Sequence, residues 1–402
     1  MYSSTVLTSN ITYSPDAIAN LNASLSTVSI TTSSPSVSWA KPVVNTKTDK
    51  IVNKYICAFF IFFNFWLKIR HYHRNTSKFN KRFTFFNYEI KLNKSSLVYI
   101  KKVEMKSNHT ILLAGGTGLI GQNLVDLLKS EGHEVNILTR SNYKKENHFR
   151  WSPSTKEIDD RSLKDVDIII NLAGAGIADK RWTKKRKETL INSRVESANF
   201  LYQVSEKIPN LKQYISASGL NCYRYDNYSK KHKESDPFGD DFLSEVVEKW
   251  ENAADQFKDK CKVAKVRTSV VLTKEGGALP KISKTVKNYI GAPLGSGKQW
   301  MPWISMIDIN RIYAHIVSHQ LEGRFNALAD SVTNEEFTKE LAKVLNKPLW
   351  LPNVPPFVLK IILGEMASVV LEGLQADNSK ILETGFEFKD NSLRDYFEKE
   401  FR

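Results

Sequence analysis

A chain of 402 residues exceeds the roughly 100–200 residues of an ordinary domain, and its 41% apolar and 25% charged content is that of a globular protein. The net charge of +15 would suit nucleic acid or an anionic surface. However, residues 1–104 carry 14 Lys and Arg against 4 Asp and Glu, which leaves the remainder nearly balanced, so nucleic-acid binding is not expected. Cys57, Cys222 and Cys261 form neither a CxxC pair nor a disulfide framework, which fits a reducing compartment. No metal site is expected.

The stretch 1–104 is read as a disordered N-terminal extension. Up to about Val44 it is rich in Ser, Thr and Asn and cannot bury enough apolar area to offset its ordering entropy. The aromatic run Tyr55 to Leu67 (YICAFFIFFNFWL) falls short of the about 20 apolar residues of a spanning helix. Three readings stay open: a targeting segment, a membrane-surface anchor, or an artefact of the gene model. The last is preferred, because Met105 opens a natural start, MKSNHTILL, just before a first strand. The location is then cytoplasmic, or an organelle if the extension targets the chain. Membrane attachment is not expected unless residues 55–67 provide it.

Thr110 to Ala114 (TILLA) suits a buried parallel strand. Gly115-Gly116-Thr117-Gly118-Leu119-Ile120-Gly121 follows, and from Leu119 the apolar residues recur at helical spacing. Strand, glycine turn and helix in this order predict a dinucleotide cradle. Gly115 permits the tight turn, Gly118 lets the backbone approach a pyrophosphate, and Gly121 lets helix and strand pack closely. The helix N-terminus presents free N–H groups to the phosphates. The second strand, Glu134 to Leu138, ends in Thr139-Arg140-Ser141 with no acid at its tip. An acid there would bind the ribose diol of NAD, whereas a guanidinium suits a 2′-phosphate, so the expected cofactor is NADP(H).

Val166 to Leu172 predicts the next strand and runs into Leu172-Ala173-Gly174, small enough to pass against an adenosine. A helix is expected over Thr183 to Lys207, a strand over Gln213 to Ala217 ending in Ser216-Ala217-Ser218, a helix over about Asp240 to Lys260, and one strand over Lys262 to Leu272. The alternation predicts an α/β fold, a doubly wound parallel sheet of the Rossmann type. Gly291 to Trp303 reads as a glycine-rich loop whose Trp300 and Trp303 either line a pocket or anchor the loop, and Asp308 reads as a helix cap. Phe325 to Ala327 suits a late strand and Thr333-Asn334-Glu335-Glu336 a helix start, while Leu359 to Leu374 reads as one apolar core helix.

Taken together, GGTGLIG, LTR, NLAG, ADKRWTKKRKETLINSRVES, the SAS element, GDDFLSEVVEKWENAA, RTSVVLTKEGGALPK, GAPLGSGKQWMPWI and LEGLQADNSKILETGFEFK occur in the order in which they do in a known group. The chain resembles the YfcH-type, or SulA-like, branch of the NAD-dependent epimerase/dehydratase family, atypical extended short-chain dehydrogenase/reductases, from about Lys106 to Arg402. The resemblance implies an NADP-binding domain with a smaller substrate-side lobe over 105–345 and a C-terminal helical module of unknown role over 346–402. It also implies that Arg194, in NSRV, lies close to the cofactor.

Reactive extended members place Ser or Thr after the SAS-type strand and Tyr-x-x-x-Lys on the next helix. Ser218 fits the first role. The Tyr and Lys positions fall near Leu243 and Val247, both apolar, and no Tyr occurs between Ser229 and Tyr289. Tyr223 is the substitute expected to exchange a proton, with a loop Tyr that only packs as the alternative. Cys222 is assigned no chemistry. Two functions follow. One is an NADP-dependent oxidoreductase or epimerase-like enzyme acting on a small molecule. The other is an NADP(H)-binding regulatory or sensor protein, of which the SulA-like label suggests a division-inhibitor-like version.

Overall fold

A computed structural model of the chain describes residues 108–141, 145–223 and 230–402, together with the backbone of four short strands nearer the N-terminus. Those strands, Val28–Ile30, Lys81–Phe85, Tyr88–Leu92 and Val98–Lys102, form an antiparallel sheet in the order first, fourth, third, second. They belong to a unit, Met1–Lys106, separate from the unit Ser107–Arg402. The other residues of 1–104, including the aromatic run 55–67, lie outside those described.

The second unit is built on eight strands: β1 (Thr110–Ala114), β2 (Glu134–Thr139), β3 (His148–Ser152), β4 (Glu157–Ile158), β5 (Ile168–Asn171), β6 (Gln213–Gly219), β8 (Lys262–Thr268) and β11 (Gly323–Ala327). Between β6 and β8 in the chain comes β7 (Lys231–His232); β9 (Val270–Leu272), β10 (Trp300–Ser305), β12 (Asp330–Thr333) and β13 (Gln375–Ala376) complete the set. The large sheet runs β11-β8-β6-β5-β1-β2-β3-β4 and is parallel throughout except for the edge strand β4. Its central strands are apolar on both faces because helices cover both, so Ile111, Leu112, Leu113, Ile168, Ile169 and Ile170 are all fully buried.

Helix α1 (Leu119–Ser130) packs on one face with α5 (Met306–His319), and α2 (Lys184–Val204) packs with α3 (Phe242–Asp255). The chain leaves β1 and β5, neighbours at the sheet centre, toward opposite sides. The end of the sheet where they part is where ligands of such folds sit. The doubly wound α/β architecture expected from the alternation is present, and Thr183 and Asp241 cap α2 and α3 at the expected starts.

Four expectations need correction. The run Lys262 to Leu272 is two strands: after Thr268 the chain leaves the large sheet, and Val270 pairs with Trp303 in a second sheet, β9-β10-β12. The end of the supposed Gly291–Trp303 loop is therefore β10, with Trp303 fully buried in a core and not lining a pocket. Asp308 does not cap α5. Ser305 does, and the buried Asp308 carboxylate accepts from the backbone of Lys389 and Asp390 while pairing with Arg311. The run Leu359 to Leu374 is not one helix. It breaks at Gly364, whose φ of +63° no helix continues through, into α7 (Pro356–Leu363), a 3-10 turn and α8 (Ser368–Leu371). Nor is it a core helix, since Leu359 is the single buried residue of α7.

Of the remaining helices, α4 (Leu279–Lys287) and α6 (Asn334–Val344) flank the small sheet, and α9 (Ser379–Glu383) and α10 (Leu393–Phe401) end the chain. A capping box between Thr333 and Glu336 starts α6, as the sequence led us to expect. Ile381 and Phe386 join the core under α1, and Leu393, Tyr396 and Phe397 join the core of the small sheet.

Candidate dinucleotide site

The turn from β1 into α1 is built from backbone in contact with backbone. Gly115 has φ +85°, and a Cβ there would lie 2.9 Å from the carbonyl carbon of Leu172 and 3.0 Å from the nitrogen of Ala173. The two turns at the parting of β1 and β5 thus lie directly against each other. Asn171, fully buried, fixes the second turn: its Oδ1 accepts from Ala173 N–H at 3.0 Å, and its Nδ2 donates to Ser197 and Tyr214. Ser193 of α2 accepts from Ala175 N–H at 3.0 Å. Gly116 and Gly121 are buried within the turn, and Ile120 and Leu119 are half-buried beside it.

Thr117 and Gly118 are exposed, and Gly118 opens α1 with no side-chain cap and no acid in the first turn. The N–H groups at this helix start therefore face outward beside a positive dipole end, which favours an anion. The segment between β9 and α4 crosses this helix start, where a Cβ on Gly276 would lie 3.0 Å from a methyl of Leu119. The glycine turn, the Leu172–Gly174 turn and the crossing segment thus meet at an uncapped helix start, where backbone donors are available to an anion.

Two arginines complete the setting. At the end of β2, Thr139 is buried while Arg140 is exposed and pairs with no carboxylate among the described residues. Arg194 of α2 is buried, and its guanidinium carbon lies 3.2 Å from where a Cβ on the exposed Gly174 would be. It stacks 4.8 Å from the Trp250 ring and donates to the Leu190 carbonyl at 2.8 Å, but its Nε has no partner. No carboxylate among the described residues pairs with it. Burial, and then the charge of Arg186, lower its pKa to about 10. A buried guanidinium without an acid is costly, so a site of this kind suits an acceptor brought by a ligand.

The expected catalytic pair lies elsewhere in character. Ser218, near the end of β6, is buried and donates to Glu251 Oε1 at 2.7 Å. Tyr223 is fully buried; its hydroxyl donates to Asn326 Oδ1 at 2.7 Å and accepts from Arg267 Nη1 at 2.8 Å. Its ring stacks on His232 at 4.8 Å. Burial first, and then neighbouring Cys222, push the Tyr223 hydroxyl above its ordinary pKa against the opposing pull of Arg267. Cys222 is likewise raised by burial. Leu243 packs with Trp182 and Leu190, and Val247 with Leu220, Cys222 and Tyr223, so the Tyr-x-x-x-Lys positions are core positions.

Glu251, to which the sequence analysis assigned no role, is the hub of this region. Besides Ser218 it accepts from Arg267 at 2.7 and 3.0 Å and from Arg324 at 2.9 Å, with Lys265 3.8 Å away. The available signal was Lys265 and Arg267, two cations at same-face spacing within the interior run VAKVR of the internal strand β8. Cations so placed must be paired.

Residues 111–242 match the NAD dependent epimerase/dehydratase family, and residues 354–400 match a domain of unknown function, DUF1731. An epimerase family protein of Staphylococcus epidermidis (strain ATCC 35984) is 35% identical over 296 residues, covering 70% of this chain and 96% of that protein. The chain belongs to the NAD dependent epimerase/dehydratase family. An epimerase family protein of Staphylococcus aureus (strain N315) is 36% identical over 298 residues, with 70% and 96% covered. Among solved structures, human epimerase family protein SDR39U1 (isoform 2) with NADPH is 30% identical with a TM-score of 0.67, covering 72% of this chain and 98% of that one. A nucleoside-diphosphate sugar epimerase from Corynebacterium glutamicum, 23% identical with a TM-score of 0.61, shares the fold; it covers 78% of this chain and 70% of that one.

Proposed function

We propose that this chain is an NADP(H)-binding member of the family, of the YfcH-type branch, that acts on a small molecule as an oxidoreductase or epimerase-like enzyme. The observation carrying the reading is Arg194, buried without an acid partner among the described residues against Gly174, at the end of the turn that abuts Gly115. The cofactor would lie along residues 115–121, Leu172, Ala173 and Gly174, with Thr139 and Arg140 toward its 2′-phosphate. The NADPH in the human relative supports the same choice for that protein. When bound, the nicotinamide would supply or accept the hydride.

Exchanging Arg140→Asp should weaken NADPH on the order of ten- to a hundred-fold, the worth of a charge-assisted hydrogen bond or two, while NADH changes little. Isothermal titration of the purified protein with both nucleotides measures this. A wild type that prefers NADH would remove Arg140 from the argument.

One observation favours the second reading, an NADP(H)-binding regulatory or sensor protein. The Tyr223 hydroxyl is engaged as both donor and acceptor inside the protein, so reaching a substrate would break its bond to Asn326 or Arg267. Tyr223→Phe separates the two. If Tyr223 transfers the proton and Ser218 holds the substrate oxygen, the variant loses turnover and keeps its NADPH affinity. If the hydroxyl is structural, the variant loses about 1–3 kcal/mol of stability through the unsatisfied Arg267 and Asn326 groups and nothing else. Thermal unfolding beside a stopped-flow hydride-transfer assay over carbonyl and alcohol substrates reads both.

A further inference from the structure

Helix α7 is amphipathic in the wrong sense for a surface helix. Its sequence, PFVLKIIL, places Leu359 on the buried side, while Phe357, Ile361 and Ile362 are 65%, 71% and 61% exposed. At 100° per residue Phe357 and Ile361 lie one turn apart on the side opposite Leu359, whereas Ile362 lies only about 60° from Leu359 and is nonetheless exposed. Pro355 and Pro356 start the helix rigidly, and Gly364 ends it. A helix of this length exposing its apolar side to water needs a surface to cover it.

The neighbouring segment says which. Arg181 donates from its guanidinium to the carbonyl of Ile361, and Lys187 pairs with Glu365 just past the helix. These contacts tie α7 to the stretch Asp179 to Glu188, which holds six cations against two acids. Of the six, Lys180, Arg181, Lys184 and Lys185 are exposed, as is Lys360 within α7. Its two acids are compensated or flanked, Asp179 by Arg186 at 3.8 Å and Glu188 by the lysines before it. Exposed apolar side chains tied to a stretch of exposed cations, none of them in a salt bridge among the described residues, match the boundary between acyl chains and anionic headgroups. Among the described residues no helix is long and apolar enough to cross a membrane, so the match is to a surface and not to a span.

We propose that α7 and the basic stretch before and within the start of α2 form one site that seats this protein on an anionic lipid bilayer. Phe357, Ile361 and Ile362 enter the interface; Lys180, Arg181, Lys184, Lys185 and Lys360 meet the headgroups. Arg181 serves both halves, since it holds the end of α7 in place.

The test is co-sedimentation of the full chain with phosphatidylglycerol/phosphatidylcholine vesicles, beside vesicles of phosphatidylcholine alone. The expected result is binding to the anionic vesicles at least ten-fold stronger than to the neutral ones and weakened by raised salt. The double variant Phe357→Ser/Ile361→Asn and the double variant Lys184→Glu/Lys185→Glu should each lose ten-fold or more, with unchanged thermal unfolding. Both change only exposed side chains. Anionic-vesicle binding that survives both double variants would overturn the proposal and place the contact elsewhere in the chain, as would absent binding. A dimer in analytical ultracentrifugation that Phe357→Ser/Ile361→Asn dissociates, without vesicle binding, would give the face to a second copy and overturn it too.

Discussion

Replacing Gly121 by valine should abolish dinucleotide binding and destabilise the fold. A Cβ at Gly121 would lie 2.3 Å from the Gly115 oxygen and 2.7 Å from the Gly116 Cα. Both neighbours are backbone of the turn itself, so neither can rotate away. The turn must open or α1 must shift, and overpacking of this kind costs about 1–3 kcal/mol or more. The same shift misaligns the helix start and the turn that would meet the phosphates, so NADPH affinity should fall by about a hundred-fold or more, as it does when positioned donors lose their geometry. Gly219→Ala is the matched control. Its new Cβ would come no nearer than 3.7 Å to a methyl of Val247, an ordinary van der Waals contact. Thermal unfolding and NADPH fluorescence titration of both variants measure the contrast. Equal, near-wild-type binding by both would show that the cradle is not where the dinucleotide sits.

The second large effect is expected at Glu251. Glu251→Gln keeps the shape and removes the charge that compensates Arg267, whose side chain is 1% exposed, while Lys265 keeps Asp255 at 2.6 Å. Breaking a buried pair from one side costs about 3–5 kcal/mol, because the surviving charges stay buried. Burial pulls the Glu251 pKa up, but the hydrogen bonds and charge of Arg267, helped by Ser218 and Lys265, outweigh it and hold the carboxyl below its ordinary value. A depressed folded pKa stabilises the fold above the unfolded pKa of about 4.3, and that contribution is lost as pH falls through the folded value. The wild type should therefore lose stability on acidification below about pH 4, and Glu251→Gln should show a shallower acid slope from a lower starting point. The double variant Glu251→Leu/Arg267→Met should recover part of the loss, as apolar replacements of buried pairs do. A Glu251→Gln protein as stable as wild type at neutral pH would mean that the network contributes nothing.

The parts of this fold that were legible in the sequence are those dictated by local rules. TILLA followed by the glycine turn and an amphipathic helix reads as one unit because each residue's role is settled within a few neighbours. The capping box at Thr333 and the absent acid after Leu138 are of the same kind. What escaped was set by distant partners. The strand over Lys262 to Leu272 is unbroken as a pattern, and only pairing of Val270 with Trp303 splits it between sheets. Asp308 looked like a cap because its targets, Lys389 and Asp390, are some eighty residues away. Tyr223 stood in a plausible loop position for chemistry, but the hydroxyl's partners come from β8 and β11. Exposure of Phe357 and Ile361 was hidden for the opposite reason, since an apolar helix predicts burial wherever burial is available.

The segment joining β9 to α4 bears on time rather than affinity. Because Gly276 rests against Leu119, a dinucleotide lying on the glycine turn would have this segment as a bar across the helix that holds it. Entry and exit would then require this segment to move, and release would be slow in proportion. Gly277, the next residue, has φ +71°, a conformation that side chains disfavour. Stopped-flow displacement of bound NADPH reads that rate.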